Sequence, residues 1–242
     1  MNTRNRLPRM LAHGLAIAAL AVSGSACAQG DQFRALEKLA EKKNPRAIYH
    51  LGMMYLTGSS VERDGKRALR YFREAAELGD PLASYKMGCF YDGQYDLVEP
   101  DLYLALKYNL VAAEAGYALA QQDVAGLFYR KQDFSNAVAW LERAVAQGTP
   151  DALATYASIH NGAPGIARDA AKTDAYFRLY LQTAEGTAKQ REWLKDFEAK
   201  LTPAERVRSA EIVRAFKARP TPLTLEALSG ARAAEALIKA SS

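Results

Sequence analysis

Reactive side chains are scarce in this chain. Its 242 residues include two cysteines, three histidines and two tryptophans. Two cysteines, Cys27 and Cys89, are too few for a framework of internal disulfides. No His-Glu-x-x-His stretch and no paired-cysteine spacing occurs, so a metal site is not expected. His50 and His160 stand 110 positions apart, in different segments. The nucleophile elbow Gly-x-Ser-x-Gly, the phosphate-cradling Walker loop and the dinucleotide fingerprint are all missing. No catalytic residue, no cofactor-binding residue and no cofactor is assigned. An apolar run of roughly 20 residues, the length needed to span a bilayer, is also missing. Glycine (16) and proline (9) are too few for a wholly disordered chain, and charged residues at 24% are ordinary for a globular one.

What is present begins with an export pattern over residues 1–28. Arg4, Arg6 and Arg9 form a positive start without acids. Leu11 to Val22 is mostly apolar, and small residues run from Ser23 to Ala28. Ala26-Cys27-Ala28 fits a cleavage site that would leave Gln29 at the mature start. The same residues admit a second reading, in which Cys27 carries the lipid of a bacterial lipoprotein; Gly24 then sits where a large aliphatic residue belongs. Without residues 1–28 the formal net charge falls from +5 to +2, because three arginines and no acid are removed. That is no nucleic-acid footprint. Cys89 is then the one remaining cysteine, and it fits a small buried apolar position.

The rest of the chain repeats itself. Ala47, Gly52 and Tyr55 recur as Ala83, Gly88 and Tyr91, each 36 residues on. Asn44-Pro45, Asp80-Pro81 and Thr149-Pro150 are helix starts, with a short polar residue to cap free N–H groups and proline in the first helical position. Ala68, Tyr71, Ala75, Ala76 and Gly79 recur as Ala105, Tyr108, Ala112, Ala113 and Gly116, and then as Ala137, Trp140, Ala144, Val145 and Gly148. The steps are 37 and 32 residues, the shorter one marking a trimmed loop. Gly79, Gly116 and Gly148 suit left-handed helix ends, and Asp64, Asp133 and Asp169 suit the starts of second helices. A fourth, drifted unit runs from Ala152 to Ala184. Units of this length cannot bury an apolar face alone, but stacked units share a continuous core.

In the first unit the pattern is Ala47, Leu51, Gly52, Tyr55 and Gly58, then Lys66, Ala68, Tyr71, Ala75, Ala76 and Gly79. It resembles the Sel1-like repeat family, relatives of the tetratricopeptide repeats. The second unit has Met87 for the leucine and sets its glycine one residue early, at Gly93. The third has Ala125 for the helical glycine. The resemblance implies an all-α fold, a right-handed solenoid of stacked helical hairpins. The expected organisation is a leader over 1–28, a capping helix over 29–43 and four repeats over 44–186. A helical pair over 187–219 and a helical or frayed segment over 220–242 complete it. In that helical pair, Trp193, Leu194, Phe197 and Leu201 form one apolar face, and Val207, Ala210, Val213 and Phe216 another. Thr202 with Glu205 forms a capping box.

Function follows from the same resemblance. It implies a non-catalytic scaffold or adaptor that binds a protein partner in a concave groove lined by first helices. Carried over, that register places Tyr49, His50 and Met53 on the groove in the first unit and Tyr85 and Cys89 in the second. Gln122, Gly126 and Tyr129 follow in the third. The same tyrosines fit packing between repeats equally well. Some exported relatives are associated with penicillin binding or hydrolysis, but they are rich in cysteine pairs that this chain lacks. The expected protein is an exported monomer, periplasmic or secreted, with an outer-membrane lipoprotein anchored at Cys27 as the alternative. Protein partners are expected, and nucleic acid is not.

Overall fold

A computed structural model describes residues 26–241; the export pattern lies almost wholly outside them. Thirteen helices and no strand occur among the described residues. α1 (Ala26–Glu41) is followed by α2 (Pro45–Thr57) and α3 (Gly65–Glu77), then α4 (Pro81–Tyr91) and α5 (Leu102–Glu114). Next come α6 (Ala118–Arg130) with α7 (Phe134–Ala146), and α8 (Pro150–His160) with α9 (Ala170–Thr183). α10 (Ala188–Ala199), α11 (Pro203–Ala215), α12 (Pro222–Ser229) and α13 (Ala231–Ala240) complete the chain. Consecutive helices pack as hairpins: α2 with α3, α4 with α5, α6 with α7 and α8 with α9. The fold is all-α, made of consecutive stacked helix pairs. Among the described residues two compact units hold them, one running to Tyr117 and taking in Leu223 onward, the other Ala118–Pro222.

Local chemistry fixes the helix ends. The Asn44 side chain accepts from the Ala47 N–H at 3.0 Å, and Asp80 does the same for Ala83 at 2.7 Å. Asp64, Asp133 and Asp169 cap α3, α7 and α9 in this way, and Asp101 caps α5. These bonds satisfy N–H groups that the helix leaves open. Thr149 stands at the start of α8 but makes no side-chain cap bond. Gly79, Gly116 and Gly148 have φ of 89°, 94° and 77°, the left-handed conformation that a side chain disfavours.

Within unit 1, the close approach of α2 and α3 rests on one ring. A Cβ added to Gly52 would lie 2.8 Å from the ring of Phe72, which is wholly buried. Gly88 plays the same part against the buried Asn109. Phe72 touches Tyr49 at 5.9 Å between ring centroids and Phe90 of the next hairpin at 6.1 Å, and Phe90 meets Tyr95 at 4.6 Å. An aromatic column therefore ties the two hairpins. Tyr55 stacks on Tyr71 at 5.5 Å, and Tyr91 on Tyr108 at 5.7 Å. These pairs lie inside single hairpins, and Tyr55 also meets Phe33 of α1 edge-on at 6.0 Å.

In unit 2, α11 packs on α9 with a face that was not expected. Val207 is 60% exposed, and the buried contact is Ser209, whose hydroxyl donates to the buried Asp174 carboxylate at 2.5 Å. A buried carboxylate needs polar partners more than apolar neighbours, and the Arg178 guanidinium pairs with it, Nε lying 3.0 Å from Oδ2. Of the expected apolar set, Phe216 meets the Tyr176 ring edge-on at 6.2 Å. Leu194 and Leu201 are buried as expected, while Trp193 lies on the surface, packed against Phe177 and Phe197.

Two of the helical glycines, Gly52 and Gly126, should respond oppositely to alanine. At Gly52 the displaced ring costs more than the ~1 kcal/mol of helix propensity gained, so Gly52→Ala should lose about 1–2 kcal/mol. No atom lies within 4 Å of a Cβ at Gly126, so Gly126→Ala should gain about 0.5–1 kcal/mol. Urea unfolding checks both; equal effects of the two changes would show that the Phe72 contact does not limit helix approach.

Candidate functional site

The start of α2 carries an unusual charge. Arg46 occupies the first turn, where the positive end of the helix dipole disfavours a cation. It is held there by two carboxylates. Its Nε lies 2.5 Å from Asp80 Oδ2, and its Nη1 pairs with Glu226 of α12. Asp80 works twice, through Oδ1 as the cap of α4 and through Oδ2 on Arg46. The corresponding cap of α2, Asn44, has no charge to spare. Burial pushes the Asp80 carboxyl above its ordinary range, with Arg46 and the Ala83 N–H pulling the other way. The guanidinium also sits 5.8 Å from the centroid of the Tyr49 ring. Burial drives the Tyr49 hydroxyl well above its usual pKa, and the Asp80 charge adds to this.

The Thr224 hydroxyl of α12 donates to the Gly116 carbonyl at 3.3 Å, just beyond α5. α13 packs against α1 and α2, where Ala234, Leu237 and Ile238 join Leu36, Leu51 and Met54. Segment 222–240, expected to be helical or frayed, is thus two docked helices. In unit 2 the preceding residues also lie along helix ends. The Arg219 N–H donates to the Ala146 carbonyl at 2.9 Å and the Thr221 N–H to Gln147 Oε1 at 3.1 Å. Gln147 in turn donates to Gln121 at 2.9 Å.

Five of the seven side chains expected to form a partner surface are interior. Tyr49, His50, Tyr85, Cys89 and Tyr129 are buried, while Met53 and Gln122 are half-buried. The five buried side chains therefore present little surface to a partner, and Met53 and Gln122 present part of theirs. Tyr49 packs on Phe72 and His50, and Tyr85 meets Tyr117 edge-on at 4.8 Å. Tyr129 packs on Phe134 and donates to the Pro164 carbonyl at 3.1 Å. Gln122 donates to Thr155 at 3.4 Å. Tyr49, His50, Tyr85, Met53 and Cys89 belong to unit 1, and Gln122 and Tyr129 to unit 2. Replacing Tyr49 or Tyr85 by alanine would open the core, not trim a contact surface.

Arg46, Asp80 and Glu226 were not singled out for function. Glu226 follows Arg46 by 180 positions, and no spacing rule joins them. The signal for Arg46 was its place, a cation at the wrong end of a helix, one turn from a buried cap of opposite charge in the next repeat.

A second polar cluster lies in unit 2. Tyr156 donates to Glu142 at 2.7 Å, the Lys172 ammonium donates to the Tyr156 hydroxyl at 3.0 Å, and the His160 ring meets Tyr156 edge-on at 4.6 Å. Asp169 pairs with Arg208 at 2.5 Å. Burial and the Glu142 carboxylate hold Tyr156 protonated, far above its usual pKa, and burial with Lys172 lowers that of His160. So held, Tyr156 keeps its proton and links Glu142 to Lys172 by hydrogen bonds. Among the described residues, no three His, Cys, Asp or Glu side chains gather as a metal site, and no helix is long and apolar enough to cross a membrane.

Comparisons with known proteins agree with this geometry. Residues 45–80, 81–117 and 117–149 each match the Sel1 repeat. Three Sel1 repeats thus run in register from residue 45 to residue 149. Its structure is similar to a Sel1 repeat protein from Oxalobacter formigenes, at 25% identity and a TM-score of 0.61, covering 78% of this chain and 80% of that one. It is also similar to a protective antigen present in uropathogenic Escherichia coli strains displaying an SLR fold. There the identity is 19% and the TM-score 0.48, over 81% of this chain and 54% of that one. No curated protein matches. The α8–α9 hairpin, expected as a fourth repeat, lies outside the matched residues.

His50 gives this site a pH signature. Burial, and then the Arg46 charge, lower its pKa from 6.5 to about 4, and Nε2 has no hydrogen-bond partner among the described residues. Between those values the unfolded chain binds the proton and the folded chain does not. Stability is therefore lost as pH falls from 6.5 toward 4, by about 3 kcal/mol for this group. Urea unfolding at pH 7.5 and 4.5 should show the loss shrinking by about 2–3 kcal/mol in His50→Gln. An unchanged loss would place the acid sensitivity in other groups.

Proposed function

We propose that this chain is a non-catalytic protein-binding scaffold or adaptor. The observation that carries the reading is the set of three Sel1 repeats in register over residues 45–149, a fold commonly used as a protein-interaction scaffold. The charged groups of both units support it, because they serve packing and capping. Asp64, Asp80, Asp101, Asp133 and Asp169 all cap helices. Glu142, Tyr156 and Lys172 satisfy one another. Stacked repeats depend on their neighbours, so partner binding should depend on several repeats together. The chemical test is crosslinking in cells followed by identification of the linked proteins. The expected result is one or a few partners recovered by the full chain and lost when Gly52→Ala loosens the first hairpin. Turnover of a chromogenic β-lactam by the purified chain would instead favour a hydrolase.

We further propose export, with cleavage after Ala28 and release into the periplasm or medium. The positive, apolar and small-residue order of residues 1–28 supports this. Mass spectrometry of the mature chain should find Gln29 at its start. A lipidated Cys27 would mean an anchored scaffold, and an intact Met1 would overturn export.

A further inference from the structure

Helix α12 docks the wrong way round for a core element. Its buried residue is Thr224, and its charged contact is Glu226 on Arg46, while Leu225 and Leu228 are 54% and 65% exposed. α13 buries only Ala234. The Arg46–Glu226 ion pair, the Thr224–Gly116 hydrogen bond and an aliphatic contact of α13 with α1 and α2 are among the interactions that hold the segment 222–240. A segment with so little buried apolar surface opens locally at small cost. The surface beneath it is, by contrast, firmly made. Arg46 is fixed by Asp80, Asp80 by the Ala83 N–H, and Leu36 and Leu51 are wholly or almost wholly buried.

We propose that this surface, the start of α2 with Asp80 at one side and the α1–α2 apolar seam at the other, is a helix-docking site. In the free chain α12–α13 occupies it as a built-in competitor. The partner it fits is a protein segment of the same chemistry: helical, rich in small and aliphatic residues, with a carboxylate that takes the place of Glu226 on Arg46. Charge complementarity selects it. Arg46 is one cation between two carboxylates, of which Asp80 is tied to a cap and Glu226 comes from a weakly held helix. The proposal rests on the scaffold reading and names its surface.

The test uses the full chain and a fluorescein-labelled peptide of residues 220–242 as the probe. Wild-type chain, with the site filled, should bind the peptide weakly. Glu226→Ala in the chain loosens the resident segment and leaves Arg46 and the core in place. That variant should bind the wild-type peptide at least tenfold more tightly, and a peptide carrying Glu226→Ala at least tenfold less tightly than the wild-type peptide. Hydrogen exchange of residues 223–240 should accelerate at least tenfold in the variant while α4 is unchanged. Equal peptide binding by the two chains, or unchanged exchange in 223–240, would show that α12–α13 is a fixed brace and overturn the proposal. A crosslinked partner whose capture ignores Glu226→Ala would also overturn it and leave the scaffold reading standing. Tight peptide binding without any cellular partner would count against the scaffold reading alone.

Discussion

The first unit is built on the fit of one ring against one missing side chain. Phe72 reaches α2 because Gly52 presents no Cβ, and from there it touches Tyr49 and Phe90. That single approach sets the distance between α2 and α3 and seats the next hairpin. The same constraint returns at Gly88 with Asn109, although the buried partner is now polar. A glycine on a first helix is thus less a flexible joint than a socket. Its value lies in what it lets the second helix insert, and dense packing makes the fit unforgiving.

The helix ends and hairpin spacing are legible in the sequence because they depend on neighbours close along the chain. Asn44, Asp64, Asp80, Asp133 and Asp169 cap through a bond to the residue three positions on. Gly79 and Gly148 end helices by their own conformation. What could not be read is which face of a helix a distant segment would cover. The repeat register assigns Tyr49 and His50 to a groove, and nothing near them in sequence announces their burial or the approach of Glu226. Ser209 was passed over for Val207 and Ala210, since apolar spacing cannot foresee a buried carboxylate on α9. The Arg46–Asp80–Glu226 set shows the same limit: its first two members stand at recognisable positions, and the third depends on tertiary docking.

The two units handle buried polarity in different ways. In unit 1 the buried ion pair sits at helix starts, where Asp80 and Arg46 meet at the edge of an apolar stack. In unit 2 polar groups enter the helix packing itself. Asp174 joins α9 to α11 through Ser209, and Arg178 carries the link on to Glu198 of α10 at 2.8 Å. These contacts tie α9, α10 and α11 at named positions. They give the closing helices of unit 2 a fixed seat that an aliphatic face alone would leave open to sliding.

Each of the first two hairpins begins with its own capped Asn-Pro or Asp-Pro start and ends at its own left-handed glycine. Start and stop signals therefore travel with the unit instead of being shared with a neighbour. A chain punctuated in this way can gain or lose a whole hairpin at the seams before residues 44 and 80 without leaving a helix uncapped on either side. The loops between paired helices can vary in length without touching those seams, as the shortened Tyr129–Asp133 connection shows. Diversification of such a protein would proceed by copying complete units and by redrawing what lies along their edges.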